Sequence, residues 1–212
     1  MSFPEREEKT WAVQKDDYPL FERLKLHLLV KNINKIAKNI SHDAKKLSIC
    51  DIGCGYHAPI LNALSQNFEK CTGIDFAVTE KVIKNNITLL SGEGSSVLQS
   101  LPENQFDIIT FLSVMEHIDE RKSMLLAAKH ALKPNGIIYI NSPSWFGKFI
   151  LEKIVIPYID KDDSYKQQVD THKTYFYHWQ MWQLLIDAGF VSSKINISTS
   201  NFGCSVTAYA RL

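Results

Sequence analysis

Two glycines and two aspartates are placed where a chain can build a ligand-binding turn. Gly53 and Gly55 are separated by one residue, Asp51 precedes them, and Asp75 follows about 20 residues later. Glycine lets the backbone approach a ligand closely, and a carboxylate at a strand end can accept hydrogen bonds from a ribose diol. With Ala58, the glycines also satisfy the G-x-G-x-x-G/A fingerprint of dinucleotide sites. These residues predict a ligand that contains a nucleoside.

The charge of Asp51 bears on which nucleoside fits. A nicotinamide dinucleotide places a dianionic pyrophosphate at the glycine turn, and a neighbouring carboxylate repels it. A nucleoside that ends in a sulfonium and an α-ammonium group is attracted by the same carboxylate. Asp51 therefore favours a cationic nucleoside, whereas Asp75 is compatible with both ligands because both contain a ribose.

Two histidines are candidates for proton transfer. His117 closes the segment SVMEH, and His172 opens the segment HKTYF. Histidine titrates near neutral pH, so either residue could act as a general base. The alternatives are structural: Glu116 and His117 could begin the next helix, and His172 could bond a backbone carbonyl and close its loop.

The sequence gives no reason to assign a metal ligand. Four irregularly spaced cysteines without a CxxC pair predict reduced thiols used for packing in a cytoplasmic protein; they are Cys50, Cys54, Cys71 and Cys204. The run Asp160-Lys161-Asp162-Asp163 is typical of a solvated turn between apolar segments. The polar start, MSFPEREEKT, shows no secretory signal, and the sequence has no apolar run long enough to span a bilayer. These features predict a cytoplasmic location.

The elements that must position these residues alternate between strand and helix. Five apolar runs of strand length cover residues 47–53, 70–76, 87–93, 106–114 and 136–143, with helices predicted from Pro59 and over 120–132. This alternation predicts a parallel α/β sheet with helices on both faces, and a ligand at the carboxyl ends of the strands. Two further runs, separated by Asn201-Phe202-Gly203, fit a hairpin with one antiparallel strand.

Length and composition predict a single domain with four parts. A chain of 212 residues with 45% hydrophobic and 22% charged residues is typical of one globular core. The parts are a helical N-terminal extension (1–45), a cofactor-binding core (46–143), a substrate-lid insertion (144–177), and the last helix with the C-terminal hairpin (178–212). On one helical face the insertion can place Phe146, Phe149, Ile150, Ile154 and Val155. Such an apolar face fits either a lid over an acceptor or a peripheral contact with a membrane.

The series DIGCG, GIDF, SGEG, FDIITFLSVMEHI and LKPNGIIYINSP resembles the ordered motifs of class I S-adenosylmethionine-dependent methyltransferases. The resemblance implies a Rossmann-like, doubly wound sheet of seven strands, mostly parallel with an antiparallel C-terminal strand. It implies S-adenosylmethionine as cofactor and S-adenosylhomocysteine as product. The implied cofactor-binding residues are Asp51, Gly53, Cys54 and Gly55 at the methionine part, Asp75 at the ribose, Phe76 on one adenine face, Glu93 and Gly94 at the adenine edge, and Ser113 through its backbone. HKTYF also resembles the H-x-x-Y/F segment of small-molecule and saccharide methyltransferases, which implies that His172 orients the acceptor.

The leading hypothesis is methyl transfer from S-adenosylmethionine to an oxygen or nitrogen atom of a small-molecule acceptor by in-line displacement. His117 and His172 are the candidate catalytic residues. A nicotinamide-dependent oxidoreductase stays an alternative because it shares the glycine pattern, as does a non-catalytic cofactor-binding module that contacts a partner or a membrane. Nucleic acid is not favoured as a substrate, because the formal net charge is only +1 and no basic stripe is visible. The oligomeric state stays open.

Overall fold

The computed structural model describes residues 20–79, 81–83, 86–158, 166 and 169–212. Within these residues, eight strands form one mixed sheet in the order β3-β4-β2-β1-β5-β6-β8-β7. The strands are β1 (Ser48–Ile52), β2 (Lys70–Asp75), β3 (Lys81–Ile83), β4 (Ile87–Ser91), β5 (Phe106–Leu112), β6 (Leu132–Pro143), β7 (Ile195–Ser200) and β8 (Ser205–Arg211). The helices are α1 (Leu20–Ile40), α2 (Pro59–Leu64), α3 (Gly94–Ser100), α4 (Arg121–Ala131), α5 (Trp145–Ile150), α6 (Ile156–Tyr158) and α7 (His178–Asp187).

The predicted Rossmann-like sheet is confirmed. Strands β4, β2, β1, β5 and β6 are parallel neighbours, and they correspond to the five apolar runs of the sequence. Strand β8 lies between β6 and β7 and runs antiparallel to both, as the hairpin predicts. These seven strands are the expected ones. The short edge strand β3, antiparallel to β4, was not predicted, because three residues carry too little periodicity to be recognised.

The order in which successive strands are added to the sheet reverses between β1 and β5. Strands β2 and β4 extend the sheet from one side of β1, whereas β5 and β6 extend it from the other side. Such a reversal leaves a crevice at the carboxyl ends of the two central strands, and ligands of open α/β sheets bind there. The segments that follow β1, β2, β4, β5 and β6 therefore share one edge of the sheet.

Two apolar clusters hold the helices on opposite faces of the sheet. One cluster contains the buried residues of α4 and α7, including Met124, Leu125, Met181 and Leu185. The other contains those of α1 and α2, which pack on the opposite face of β1, β2 and β4. Both faces of the parallel strands are thus covered, which explains why β1 is buried along its whole length.

Strand β6 begins earlier than the sequence predicts. The segment Lys133-Pro134-Asn135-Gly136 reads as a turn, yet it is part of β6. A register shift accommodates it, because Phe106 pairs with Leu132 while Ile108 pairs with Ile137. Asn135 has a φ of +64°, which is typical of a turn residue. It produces an irregularity within β6 but does not end the strand.

The insertion after β6 is helical from Trp145 to Tyr158. A π turn over Leu151–Val155 joins α5 to α6, and Lys148 contacts Glu152 one turn away, as their spacing predicts. Phe146 and Phe149 are more than half exposed, so the predicted apolar face is present and open to solvent. The charged run over residues 160–163 and the polar start of the chain lie outside the described residues. Across the described part, no helix is both long and apolar enough to cross a bilayer.

Candidate functional site

The turn after β1 leaves open space beside its second glycine. Gly53 and Gly55 both have a φ of +70°, and the Gly53 amide donates a 2.8 Å hydrogen bond to the Ile74 carbonyl of β2. A β-carbon at Gly53 would lie 2.4 Å from Cγ2 of Val114, whereas one at Gly55 would meet nothing within 4 Å. Gly53 is therefore required by packing, and Gly55 keeps space free on the side where a ligand can approach.

Asp75 closes this turn from the end of β2. Its Oδ2 accepts a 2.9 Å hydrogen bond from the Gly55 amide, and its Oδ1 accepts one of 2.8 Å from the Ala77 amide. Each carboxylate oxygen has two acceptor positions, so the half-buried group can still accept hydrogen bonds from a diol. The next residue, Phe76, exposes 63% of its surface. The arrangement can hold a ribose at Asp75 with an aromatic ring beside it.

Asp51 lies below the turn. The residue is only 2% exposed, and its Oδ1 accepts a 2.5 Å hydrogen bond from the Thr110 hydroxyl of β5. Burial raises the pKa of Asp51 to about 7; the Thr110 hydrogen bond lowers the pKa and the charge of Asp75 raises it further. A nearby cation would lower the pKa of this carboxyl group, because a positive charge favours its ionised form.

Three other predicted cofactor residues have structural roles in this fold. The Cys54 side chain is buried, and a β-carbon at Gly73 would lie 2.7 Å from its Sγ. Glu93 is the N-cap of α3 and accepts hydrogen bonds from the Ser95 and Ser96 amides at 3.0 and 2.8 Å. Partial burial raises the pKa of Glu93, but these bonds and those from the two hydroxyls lower it below its usual value.

Gly94 is also buried, and a β-carbon there would lie 2.9 Å from both Ile52 and Met124. Packing thus accounts for this glycine, as capping accounts for Glu93. Their contacts with an adenine edge stay a prediction.

Glu116, His117 and His172 come together beyond the end of β5, the strand next to β1, and we call them the proton cluster. The Lys173 amide donates a 2.8 Å hydrogen bond to the Glu116 carbonyl, and Nδ1 of His117 lies 3.1 Å from the Thr171 carbonyl oxygen. The two imidazole rings are consequently 4.8 Å apart, centre to centre. Two contacts with backbone carbonyls, one from an amide and one from the His117 ring, therefore bring together two histidines that are distant in sequence.

Glu116 is the functional candidate that sequence reasoning missed. It is fully buried, and neither carboxylate oxygen has a hydrogen-bond partner among the described residues. Burial raises the pKa of Glu116 to about 7, although its own backbone amide, the nearby Ser142 hydroxyl and the charges of Lys25 and Arg121 lower it. The Ser142 hydroxyl lies near the carboxylate but forms no hydrogen bond with it. The available signal was an acidic residue four positions after the end of a buried parallel strand. Helix α4 begins only at Arg121, so Glu116 and His117 do not open that helix.

His172 is held in its neutral form. Burial lowers its pKa to about 4, with further lowering from the charges of His117 and Lys25. Its Nδ1 lies 3.0 Å from the hydroxyl of Tyr175. The ligand atoms of Glu116, His117 and His172 all lie within 4.8 Å of one another. The proton cluster can therefore transfer a proton, and its donor set could also hold a divalent cation.

Ser113 is hydrogen-bonded to both β6 and α1. It follows β5 with a φ of +56°, and its amide donates a 2.8 Å hydrogen bond to the Asn141 carbonyl of β6. Its hydroxyl accepts a 3.2 Å hydrogen bond from Nζ of Lys25, a residue of α1. Helix α1 therefore supplies a cation to this edge of the sheet.

Comparisons with known proteins agree with this architecture. The chain is 30% identical over 140 residues to a ubiquinone biosynthesis O-methyltransferase of Rickettsia canadensis, covering 58% of this chain and 56% of the relative. It is 27% identical over 118 residues to the enzyme of the same name from Pseudomonas entomophila, covering 52% and 49%. The chain thus spans about half the length of the curated relatives it matches.

A solved structure shows the same fold at low sequence identity. The crystal structure of a SAM-dependent methyltransferase from Archaeoglobus fulgidus superposes with a TM-score of 0.59 at 15% identity, covering 92% of this chain and all of that one. The family model described as "Methyltransferase domain" matches residues 21–191, which is well over half of the sequence. This chain therefore belongs to the methyltransferase domain family.

Proposed function

We propose that the protein transfers a methyl group from S-adenosylmethionine to a hydroxyl oxygen of a small-molecule acceptor. The observation that carries the proposal is the adjacency of two features at the ends of neighbouring strands. The glycine turn closed by Asp75 follows β1, and Glu116 and His117 of the proton cluster follow β5. A cofactor cradle beside a proton acceptor is what hydroxyl methylation requires. The nicotinamide-dependent alternative gains no support from the comparisons, which found methyltransferases.

The cofactor supplies an activated methyl group on a sulfonium, so the protein must bind, orient and exclude water. Asp75 would accept hydrogen bonds from the ribose, Phe76 would cover the adenine, and the space above Gly55 would admit the methionine part. The buried carboxyl of Asp51 would ionise as the cationic ligand approaches, because that charge stabilises its ionised form.

The proton cluster would receive the proton that the acceptor hydroxyl loses. In the transfer, the bond between carbon and sulfur breaks, the bond between carbon and oxygen forms, and the hydroxyl proton passes to the cluster. Neutral His172 can accept that proton directly, and Glu116 can stabilise the resulting imidazolium. An amine acceptor needs such a base less once it is neutral, so the cluster supports oxygen over nitrogen as the methylated atom.

The names of the curated relatives suggest a class of acceptor. Both are ubiquinone biosynthesis O-methyltransferases, so a hydroxylated aromatic ring is the first acceptor to test. The Tyr175 hydroxyl lies 3.0 Å from His172, and the Trp145 ring centre lies 5.5 Å from that of Tyr175 and 6.0 Å from that of Tyr177. These rings could flank such an acceptor. Lys148 lies 5.6 Å from the centre of the Tyr175 ring.

Calorimetry with S-adenosylhomocysteine, followed by a transfer assay with methyl-labelled S-adenosylmethionine and catechols, tests the proposal. We expect binding by the wild type, weaker binding by Asp75→Ala, and label in the methoxy group of the product. His172→Asn should bind the nucleoside normally and transfer the methyl group poorly. Failure of the wild type to bind either nucleoside would refute the proposal at its first step.

We also propose that the exposed apolar face of the insertion contacts a membrane surface from which an acceptor with an apolar part enters. Phe146, Phe149 and Ile154 are each about half exposed, and the side chain of Phe202 at the β7–β8 turn is fully exposed. Sedimentation with phosphatidylcholine vesicles should carry down the wild type, but not Phe149→Ser combined with Phe202→Ser. Leu126→Ser, on exposed α4 surface, is the matched control. Equal sedimentation of all three proteins would exclude this contact.

A further inference from the structure

Helix α1 is anchored on the core at its C-terminal end and reaches the site with its N-terminal end. Leu29, Ile33 and Ala37 are buried against the sheet, and Nδ2 of Asn32 donates a 3.3 Å hydrogen bond to the Tyr139 hydroxyl. Leu24, nearer the start of the helix, is 51% exposed. The first turns of α1 are therefore held over the edge of the sheet by the packing of the later ones.

Lys25 lies on this overhanging part and reaches the segment that follows β5. Its Nζ donates the 3.2 Å hydrogen bond to the Ser113 hydroxyl, next to the proton cluster. Its charge lowers the pKa of Glu116 and of His172. Two residues of the cluster therefore experience the field of Lys25.

Other lysines around the site are already paired with carboxylates. Lys173 contacts Asp119, and Lys148 contacts Glu152. Lys25 is half-buried and belongs to no ion pair within 4.0 Å among the described residues. An ammonium has three donors, and the described contacts use one of them, on a neutral hydroxyl. The remaining donors can serve an anion in the acceptor site.

We propose that Lys25 binds an anionic group of the acceptor, so that the preferred substrate carries a carboxylate or a phosphate near the hydroxyl that is methylated. This inference rests on the proposed function and adds the charge of its substrate. The anion would accept hydrogen bonds from Lys25 while the hydroxyl faces Glu116 and His172. Helix α1 would then act as a specificity element, because the residue that recognises the charge lies outside the cofactor-binding core.

Binding of matched probes to the complex with S-adenosylhomocysteine tests the inference without requiring turnover. The probes are 3,4-dihydroxybenzoate, its neutral methyl ester, and 2-hydroxyphenyl phosphate. Calorimetry should show that the wild type binds at least one anion about tenfold or more tightly than the ester, as expected for a charge-assisted hydrogen bond. The preferred anion distinguishes a carboxylate from a phosphate substrate. The preference should decrease as salt is added.

Variants of α1 identify the responsible residue. Lys25→Met should bind the ester unchanged and lose the preference for the anion, and Lys25→Arg should retain much of it. Lys31→Met changes an exposed lysine on the same helix and should behave as the wild type. Equal binding of acid and ester by the wild type, an unchanged preference in Lys25→Met, or no binding of either anion would overturn the inference. S-adenosylhomocysteine binding, measured first, reports separately on the proposed function.

Discussion

The amide of Gly55 donates a 2.9 Å hydrogen bond to the carboxylate of Asp75. This contact joins the turn after β1 to the end of β2. Gly55 and Asp75, both predicted from the sequence to bind the ligand, therefore form one structural unit. A negative charge also lies at the amides of the turn, where a phosphate would otherwise bind. The contact thus favours a cationic or neutral ligand over a pyrophosphate at this point.

Replacing Asp75 by alanine should weaken cofactor binding. The carboxylate accepts two backbone hydrogen bonds and is expected to accept those of the ribose, which are each worth about 1.5 to 3 kcal/mol when the acceptor is charged. We expect the Kd for S-adenosylmethionine to rise about 10- to 100-fold in calorimetry. Asp43→Ala, which also removes an acceptor of a backbone amide, is the control and should bind normally. A Kd for Asp75→Ala within twofold of the wild type would contradict the assignment.

The two glycines of the turn should respond differently to alanine. At Gly53 the new β-carbon would lie 2.4 Å from Val114, so we expect a loss of several kcal/mol in the free energy of unfolding or failure to fold. At Gly55 there is no clash, and the cost should be only the left-handed backbone strain of about 1 to 2 kcal/mol. Gly55→Ala should nevertheless bind S-adenosylhomocysteine at least tenfold more weakly, because its β-carbon enters the cradle. Denaturant unfolding and calorimetry on both variants measure the two effects, and normal binding by Gly55→Ala would show that the ligand lies elsewhere.

Much of this architecture can be predicted from local sequence patterns. The five parallel strands follow from apolar runs bounded by glycines, and the C-terminal hairpin follows from two runs around Asn201-Phe202-Gly203. The turn after β1 is a local feature too, since its geometry depends on glycines adjacent in sequence. Asp75 could be placed because parallel strands that are neighbours end at the same edge.

The proton cluster could be predicted only in part. His117 and His172 were both candidates, but their approach depends on hydrogen bonds between the segment after β5 and the end of the insertion. The periodic pattern of hydrophobic residues in a sequence does not indicate such contacts. The burial of Glu116 is equally non-local, because its neighbour Met115 belongs to an apolar cluster that also contains Ile140 of β6 and Phe176. Likewise Lys25 is one of several lysines on α1, and only the crossing of that helix over the sheet edge distinguishes it.

The stability of the protein should depend on pH through Asp51. Its pKa is raised from 3.8 to about 7 in the folded state, so the native protein holds this proton more tightly than the unfolded chain does. The contribution of Asp51 is therefore complete below about pH 4 and is lost as the pH rises to about 7. Asp51→Asn keeps an acceptor for Thr110 and cannot ionise. Relative to the wild type, it should gain about 2 to 4 kcal/mol of stability between pH 4 and pH 7.

Urea unfolding at a series of pH values measures this gain, with the exposed Asp187→Asn as the control. The same Asp51→Asn variant should bind S-adenosylmethionine more weakly, because it can no longer provide a negative charge below the turn. A stability difference that stays constant from pH 4 to pH 8 would show that Asp51 does not titrate in this range.

The rate of methyl transfer should rise with pH through the proton cluster. Burial raises the pKa of Glu116 to about 7 and lowers that of His172 to about 4, so His172 is neutral across the range in which Glu116 ionises. A neutral base next to an ionised carboxylate is the competent state, because the carboxylate stabilises the imidazolium that proton transfer creates. We expect kcat/KM to increase about tenfold per pH unit below an apparent pKa near 7, a value that belongs to the cluster as a whole. This increase is the ascending limb of the pH profile.

Glu116→Gln should lower kcat/KM about 100-fold or more and remove the ascending limb. Glu103→Gln, which changes an exposed carboxylate, should leave both kcat/KM and the ascending limb unchanged. Because glutamine cannot ionise, Glu116→Gln should also be more stable than the wild type above pH 7, which distinguishes a lost proton acceptor from a damaged fold. An unchanged ascending limb in this variant would assign the titration to the acceptor or to another group.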